Sequence, residues 1–221
     1  MKVLIFGASG SAGGSVLRAC LSAPTVTEVR AISRRPLPLV HAKLRAFVHG
    51  DYQDYRGVEA AFVEVDVCLF CLGISVTQVS SEKEYRRITH DFAIAAARAL
   101  HARSPAAAFH FISGRGTNLD SRFMWARVKG ATERELIDLV NAVCWRPAAI
   151  DGIPSASEPR LYQVIRPLFR VLRPIRSLYV AGEDLGRAML QATVEKVRGR
   201  VIENPEIRDI ADRAGTFRGT A

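Results

Sequence analysis

The sequence predicts an α/β protein built on a doubly wound parallel sheet, and three observations predict it. Short apolar runs alternate with amphipathic segments along most of the 221 residues, the order expected of strands and crossover helices. Those runs are apolar nearly throughout, as strands covered on both faces are. The first run leads at once into closely spaced glycines at the mouth of a helix, the arrangement that opens a Rossmann-like fold.

Taken in order, residues 3–6 read as a buried strand, "SAGGSVLRACLSA" as the start of a helix, and residues 28–32 and 46–48 as two further strands. "GVEAAFVEV" reads as a helix and "DVCLFCLG" as the fourth strand. An alanine-rich helix spans residues 82–102, "AAFHFISG" is a strand, residues 121–139 are a helix, and "AVCWRPA" is the sixth strand. After Pro147 the rhythm breaks into the turn-rich "AAIDGIPSASEP", the basic "RLYQVIRPLFRVLRPIRSL", a helix at "GEDLGRAMLQATVEKV" and a final strand at "GRVIENPEI", with a frayed tail from Gly215. Right-handed crossovers then give a parallel sheet. The expectation is one dinucleotide-binding domain over residues 1–221, in which residues 151–221 contribute a small lobe for a substrate or partner.

Composition narrows the classes. Apolar residues make up 48% of the chain, which excludes a disordered class, and no uncharged apolar run approaches the roughly 18 residues of a membrane span. Lysine and arginine number 31 against 22 acids, so an anionic ligand or surface enters consideration beside a merely solvated basic face. Zinc spacing, an aromatic RNA-binding strand and a helix-turn-helix are all missing, and nucleic acid is not expected. The four cysteines are scattered, and alternation puts Cys68 and Cys71 on opposite sides of their strand, so no metal or redox pair is expected. Free thiols, and an apolar run in "MKVLIFGASG" too short for a signal peptide, suggest a cytoplasmic protein.

Within "VLIFGASGSAGGSVL", Gly7, Gly10 and Gly13 stand between strand and helix. Glycine there lets the chain turn tightly, lets backbone amides approach a pyrophosphate and lets helix pack on strand, while the helix N-terminus supplies partial positive charge. Ser9, Ser11 and Ala12 complete the loop, the serines offering hydroxyls to phosphate. At the end of the second strand, where many NAD binders carry an acid, "VRAISRRPLPL" has Arg34 and Arg35. Arginine there favours a 2′-phosphate, hence NADP(H) over NAD(H), unless the pair is simply an exposed basic turn. Asp51 and Tyr52 in "VHGDYQDY" are placed to meet the adenine edge, or to form an ordinary turn. Cys71, Leu72 and Gly73 close the fourth strand, with Gly73 permitting close approach of the backbone to a cofactor or a tight strand exit.

The glycine loop, "HGD", "CLG", "FISGRGT", a lysine on the next helix and "WRPAAI" form one ordered set that resembles the short-chain dehydrogenase/reductase superfamily, in its extended or atypical branch. More narrowly, "FCLG", "FISGRG", "VKGATEREL", "WRPAAI" and "VIENPEIRDI" look like the branch containing the human Tat-interacting protein and its bacterial relatives. The resemblance implies a serine at the end of the fifth strand working with a tyrosine four residues before a lysine. The tyrosine exchanges the proton, the lysine lowers its pKa and holds the nicotinamide ribose, and the serine orients the substrate. Carried over, Ser113 is the serine, Lys129 the lysine, and Trp125 stands in the tyrosine position. An indole N–H donates a hydrogen bond but does not act as an acid near neutral pH. None of the five tyrosines has a lysine four residues on; Thr117, Tyr85 and Tyr162 are the substitutes a loop or lobe could bring. Pro147 corresponds to the motif whose backbone lies near the nicotinamide, with Ala148 where the family has glycine.

Arg166, Arg170 and Arg173 recur at helical spacing in a stretch broken by Pro167 and Pro174, read as a lobe helix with a solvated arginine face. A membrane or partner contact and a site for an acidic substrate are its alternatives. The functional expectation is an NADP-binding oxidoreductase for a small carbonyl or alcohol; the alternative is a non-catalytic or weakly catalytic NADP-binding protein that presents a surface to a protein partner. Both a monomer and a homodimer remain open.

Overall fold

The computed structural model describes residues 1–154 and 171–216. Seven strands form one parallel sheet: β1 (Lys2–Phe6), β2 (Glu28–Ser33), β3 (Leu44–Val48), β4 (Val67–Phe70), β5 (Ala108–Ile112), β6 (Val143–Arg146) and β9 (Arg200–Glu203), in the order β3-β2-β1-β4-β5-β6-β9. A separate parallel pair joins β7 (Ala149–Asp151) to β8 (Tyr179–Ala181). The chain reverses its direction of winding between β1 and β4, and in open α/β sheets that switch point is where ligands bind, at the carboxyl ends of the strands.

Alternation along each strand sorts the core into two layers. Val3, Ile5, Val67, Leu69, Val143 and Trp145 face one layer, which holds α1 (Ser11–Ser22), α5 (Gly182–Val194) and α6 (Asn204–Thr216). Leu4, Phe6, Cys68, Phe70, Phe109 and Cys144 face the other, under α2 (Glu82–Arg86), α3 (Phe92–Arg103) and α4 (Met124–Val140). Cys68 and Cys71 accordingly fall on opposite sides, and all four thiols are free. Helix α5 lies tightly along α1: a Cβ on Gly182 would come 2.5 Å from that of Ser15, and one on Gly186 would come 2.7 Å from that of Ala19.

Three elements differ from expectation. "GVEAAFVEV" makes only a single 3-10 turn at Glu59–Phe62, because Gly57 and Glu64 both take left-handed φ and leave too few residues to repay helix nucleation. The long alanine-rich helix is interrupted by a π turn at Arg87–Asp91 that separates α2 from α3. "GRVIENPEI" is strand only to Glu203; Asn204 and Pro205 then start α6, and Asn-Pro is a helix-start signal that an extended reading of the segment overlooks. The stretch expected as a lobe thus also returns β9 to the main sheet, and Arg166 and Arg170 lie outside the described residues.

A polar pair sits inside this apolar frame. His110 of β5 is fully buried, stacked on Trp145, whose indole N–H donates to His110 Nδ1 at 3.1 Å. Nε2 must then carry the proton, and it faces Thr193 Oγ1 at 3.3 Å, whose own proton goes to the Met189 carbonyl at 2.9 Å. Burial, aided by Arg198, pushes the imidazole down to about 3. The unfolded chain therefore binds a proton that the folded chain refuses between that value and the ordinary 6.5, and stability rises with pH across the window. Urea titrations from pH 5 to 7 should show a slope approaching about 1.4 kcal/mol per unit at the acid end. His110→Gln should flatten that slope while lowering stability at pH 7 by roughly 1–3 kcal/mol.

Candidate functional site

The residues singled out in the sequence follow the carboxyl ends of β1 to β6, except Trp125 and Lys129, which come from the first two turns of α4 and reach the turn after β5. Gly7 leaves β1 with φ +76°, and a Cβ there would lie 2.6 Å from the Cys71 carbonyl oxygen at the end of β4. Gly13 is held more tightly still, since its Cβ would lie 2.1 Å from the Gly7 carbonyl oxygen. Gly10 caps α1 with no side chain, its amide donating to Gly7 O at 2.9 Å and its carbonyl accepting from Gly14 N at 2.8 Å. The first-turn amides of a helix have no intrahelical acceptor, and here they carry the positive end of the α1 dipole with no acidic side chain in that turn. Backbone crossings that a Cβ would fill, beneath a helix N-terminus, fit a dinucleotide pyrophosphate.

Around this cradle the other candidates take different positions. Arg34 and Arg35 are exposed just beyond β2, the turn fixed by Ser33 Oγ donating to the Arg35 carbonyl at 2.7 Å. Asp51 is exposed and accepts from Gln53 N at 2.9 Å, whereas Tyr52 is buried against Phe6 and Phe92 with its hydroxyl toward the Arg34 backbone. Gly73 is exposed, and a Cβ on it would meet nothing within 4 Å. Its neighbours Cys71 and Leu72 are half-buried, with Cys71 N bound to Phe6 O at 3.1 Å.

The second half of the site stands at the ends of β5 and β6. Their pairing continues past the strands, with Ser113 N on Trp145 O at 2.7 Å and Arg115 N on Pro147 O at 2.9 Å, so Pro147 is buried alongside Ser113. Lys129 reaches over from α4 and donates to the Ser113 carbonyl at 2.5 Å. Burial lowers its ammonium to about 8 against the opposing pull of Glu133. Glu133, one turn along, is itself clamped by Arg146 through two bonds of 2.9 and 2.6 Å, and Arg146 also reaches Glu203 at 3.0 Å. Trp125 is half-buried over the turn after β5, its ring edge 3.5 Å from where a Gly116 Cβ would stand.

Of the three tyrosine substitutes, Thr117 is in contact with Ser113 at 3.0 Å between hydroxyls. Tyr85 is buried facing Thr89, and Tyr162 lies outside the described residues. Two participants were not legible in the sequence. Gly152 rests on the first turn of α1, where a Cβ would come 2.5 Å from Ser11 Oγ, and the next amide, Ile153 N, donates to Ser15 Oγ at 3.0 Å. Asn204 ties the rim together by accepting from Ala148 N at 2.8 Å and donating to the Arg176 and Tyr179 carbonyls. Only the Asn-Pro pair hinted at the second, and a lone glycine gave no signal for the first.

No family model matches the chain. A protein of Eremothecium gossypii named "Protein FMP52, mitochondrial" is 23% identical over 226 residues, covering 98% of this chain and 100% of the relative. An oxidoreductase of the short-chain dehydrogenase/reductase family from Burkholderia thailandensis superposes with a TM-score of 0.68 at 16% identity, over 97% of each chain. UDP-glucuronic acid 4-epimerase from Bacillus cereus, solved in complex with NAD, superposes with a TM-score of 0.67 at 14% identity, over 100% of this chain and 84% of the epimerase. The fold is therefore of the short-chain dehydrogenase/reductase type. The cytoplasmic expectation is corrected, because the curated relatives are named mitochondrial proteins. It rested on the short apolar run in "MKVLIFGASG" and on free thiols, and free thiols argue against an oxidising compartment without distinguishing among reducing ones.

The cradle makes a contrast that can be measured. Gly13→Ala, whose Cβ meets backbone, should lower the melting temperature by several degrees in a thermal scan. Gly73→Ala, whose Cβ meets open space, should melt like the wild type.

Proposed function

We propose that this protein is an NADP-binding oxidoreductase of the short-chain dehydrogenase/reductase kind, acting on a small carbonyl or alcohol, with Trp125 in the place of the usual tyrosine. The observation that carries the reading is the pairing of a glycine cradle at the switch point with Lys129 anchored on the Ser113 carbonyl, at the same edge of the sheet. A nicotinamide cofactor bound there supplies or accepts hydride. Gly7, Gly10 and Gly13 with the α1 N-terminus would hold the pyrophosphate, and Arg34 and Arg35, exposed where an acid would select NAD, would hold a 2′-phosphate. Lys129 would bind ribose hydroxyls, Pro147 and Cys71 to Gly73 would line the nicotinamide side, and Ser113 would orient the substrate oxygen. Solved proteins of similar fold bind NAD, as the epimerase does, and support the nucleotide class.

Trp125 favours a second reading, an NADP-binding protein with little or no turnover that presents a surface to a protein partner, because its indole cannot exchange the proton. Two measurements separate the readings. Titration of NADPH and NADH fluorescence should give binding of NADPH that weakens about tenfold or more in Arg34→Ala/Arg35→Ala, with NADH little changed. A panel of carbonyl substrates should then show turnover above a Lys129→Ala control. Binding without turnover would select the second reading; no binding of either nucleotide would overturn both.

A further inference from the structure

Proton accounting at the end of β5 singles out one side chain. Thr117 Oγ1 gives its proton to the Gly114 carbonyl at 2.8 Å, so in the 3.0 Å contact between the two hydroxyls Ser113 is the donor. Both hydroxyl protons are committed, and Ser113 Oγ is left with lone pairs for a substrate hydroxyl. Trp125 cannot titrate. Among the other described tyrosines, Tyr52 faces the Arg34 backbone, Tyr55 is buried in the core cluster with Phe62, and Tyr179 donates to Asp151 at 3.1 Å. Lys129, in contrast, has three N–H bonds and spends one on the Ser113 carbonyl, within reach of the Gly114 turn.

We infer that Lys129 is itself the acid and base of the reaction, delivering the proton to the substrate oxygen and taking it back, in the role the absent tyrosine would have had. The inference rests on the oxidoreductase reading above. In the reducing direction a bound reduced nicotinamide would supply hydride to the carbonyl carbon and be oxidised. The carbonyl π pair moves to oxygen, the oxygen takes a proton from the Lys129 ammonium, and the neutral amine left behind regains a proton from water.

The surroundings suit the role. An acid that must also act as a base works best with a pKa near the working pH, and burial brings Lys129 to about 8. Glu133 is the charged group facing it from its own helix, and its carboxylate is shared with Arg146 of β6, which Glu203 of β9 also holds. The β5 end offers backbone oxygen, with Arg115 exposed in the following loop. On the α3 side, His90 lies between Asp91 and Glu135, nearly two turns farther along α4.

Lys129→Arg provides the test, because arginine keeps the charge and hydrogen-bond donors for ribose but does not release its proton. NADPH binding by fluorescence should be retained within a few-fold, while kcat falls by about 10² or more and the limb of the wild-type pH profile near pH 8 disappears. On the wild type, the Lys129 side-chain NMR shift should titrate with a midpoint near 8. An arginine variant that keeps kcat and the pH profile, or a midpoint at the ordinary 10.5, would overturn the inference while leaving the oxidoreductase reading in place. Cofactor binding without wild-type turnover would overturn both.

Discussion

Everything at the functional edge depends on how closely two stretches of backbone pass at the switch point. Gly13 packs against the carbonyl of Gly7, and Gly7 packs against the carbonyl of Cys71, leaving no room for a single carbon atom at either crossing. The crossings set the height of α1 over the sheet, and with it the direction in which the helix N-terminus points. On its other flank α1 is approached as closely by Gly182 and Gly186 of α5, so the helix is held between two tight seams. A helix so confined cannot tilt to accommodate a side chain, which is why glycine here is a matter of packing as much as of turning.

The layers of this fold were legible because period-two alternation in strands such as "VLIF" and "VCLF" leaves little choice about which residues face which side. The parallel sheet followed from the alternation of strands with helices, whereas the strand order, and with it the switch point between β1 and β4, came from the structure. What was not legible depends on contacts between residues distant in the chain. Nothing local announces that Gly152 will rest on Ser11, or that Asn204 will bind three backbone groups. The short turn at Glu59–Phe62 was overread for the opposite reason, since its apolar pattern is helical but left-handed residues on either side cut it off. The alanine-rich helix hid its π turn because one extra residue per turn leaves composition unchanged.

The polar interior shows the same economy at two places. Trp145 holds His110 in one tautomer inside the first core layer, and Glu133 and Arg146 pin α4 to β6 in the second. The ion pair does more than fasten a helix: the carboxylate that Arg146 engages is also the one whose charge raises Lys129 against the effect of burial. The electrostatics of the candidate site are thus set partly by a residue whose own contacts are all structural.

Asn204 carries a consequence for how the protein comes into being. Its side chain accepts from Ala148 and donates to two carbonyls of the segment before α5, so the rim beside Pro147 is completed by a residue 56 positions downstream. During synthesis from the N-terminus, the glycine cradle, Ser113 and Lys129 all emerge well before that amide does. A nascent chain can therefore lay down most of its sheet early and still lack the amide that ties Ala148 to the segment before α5.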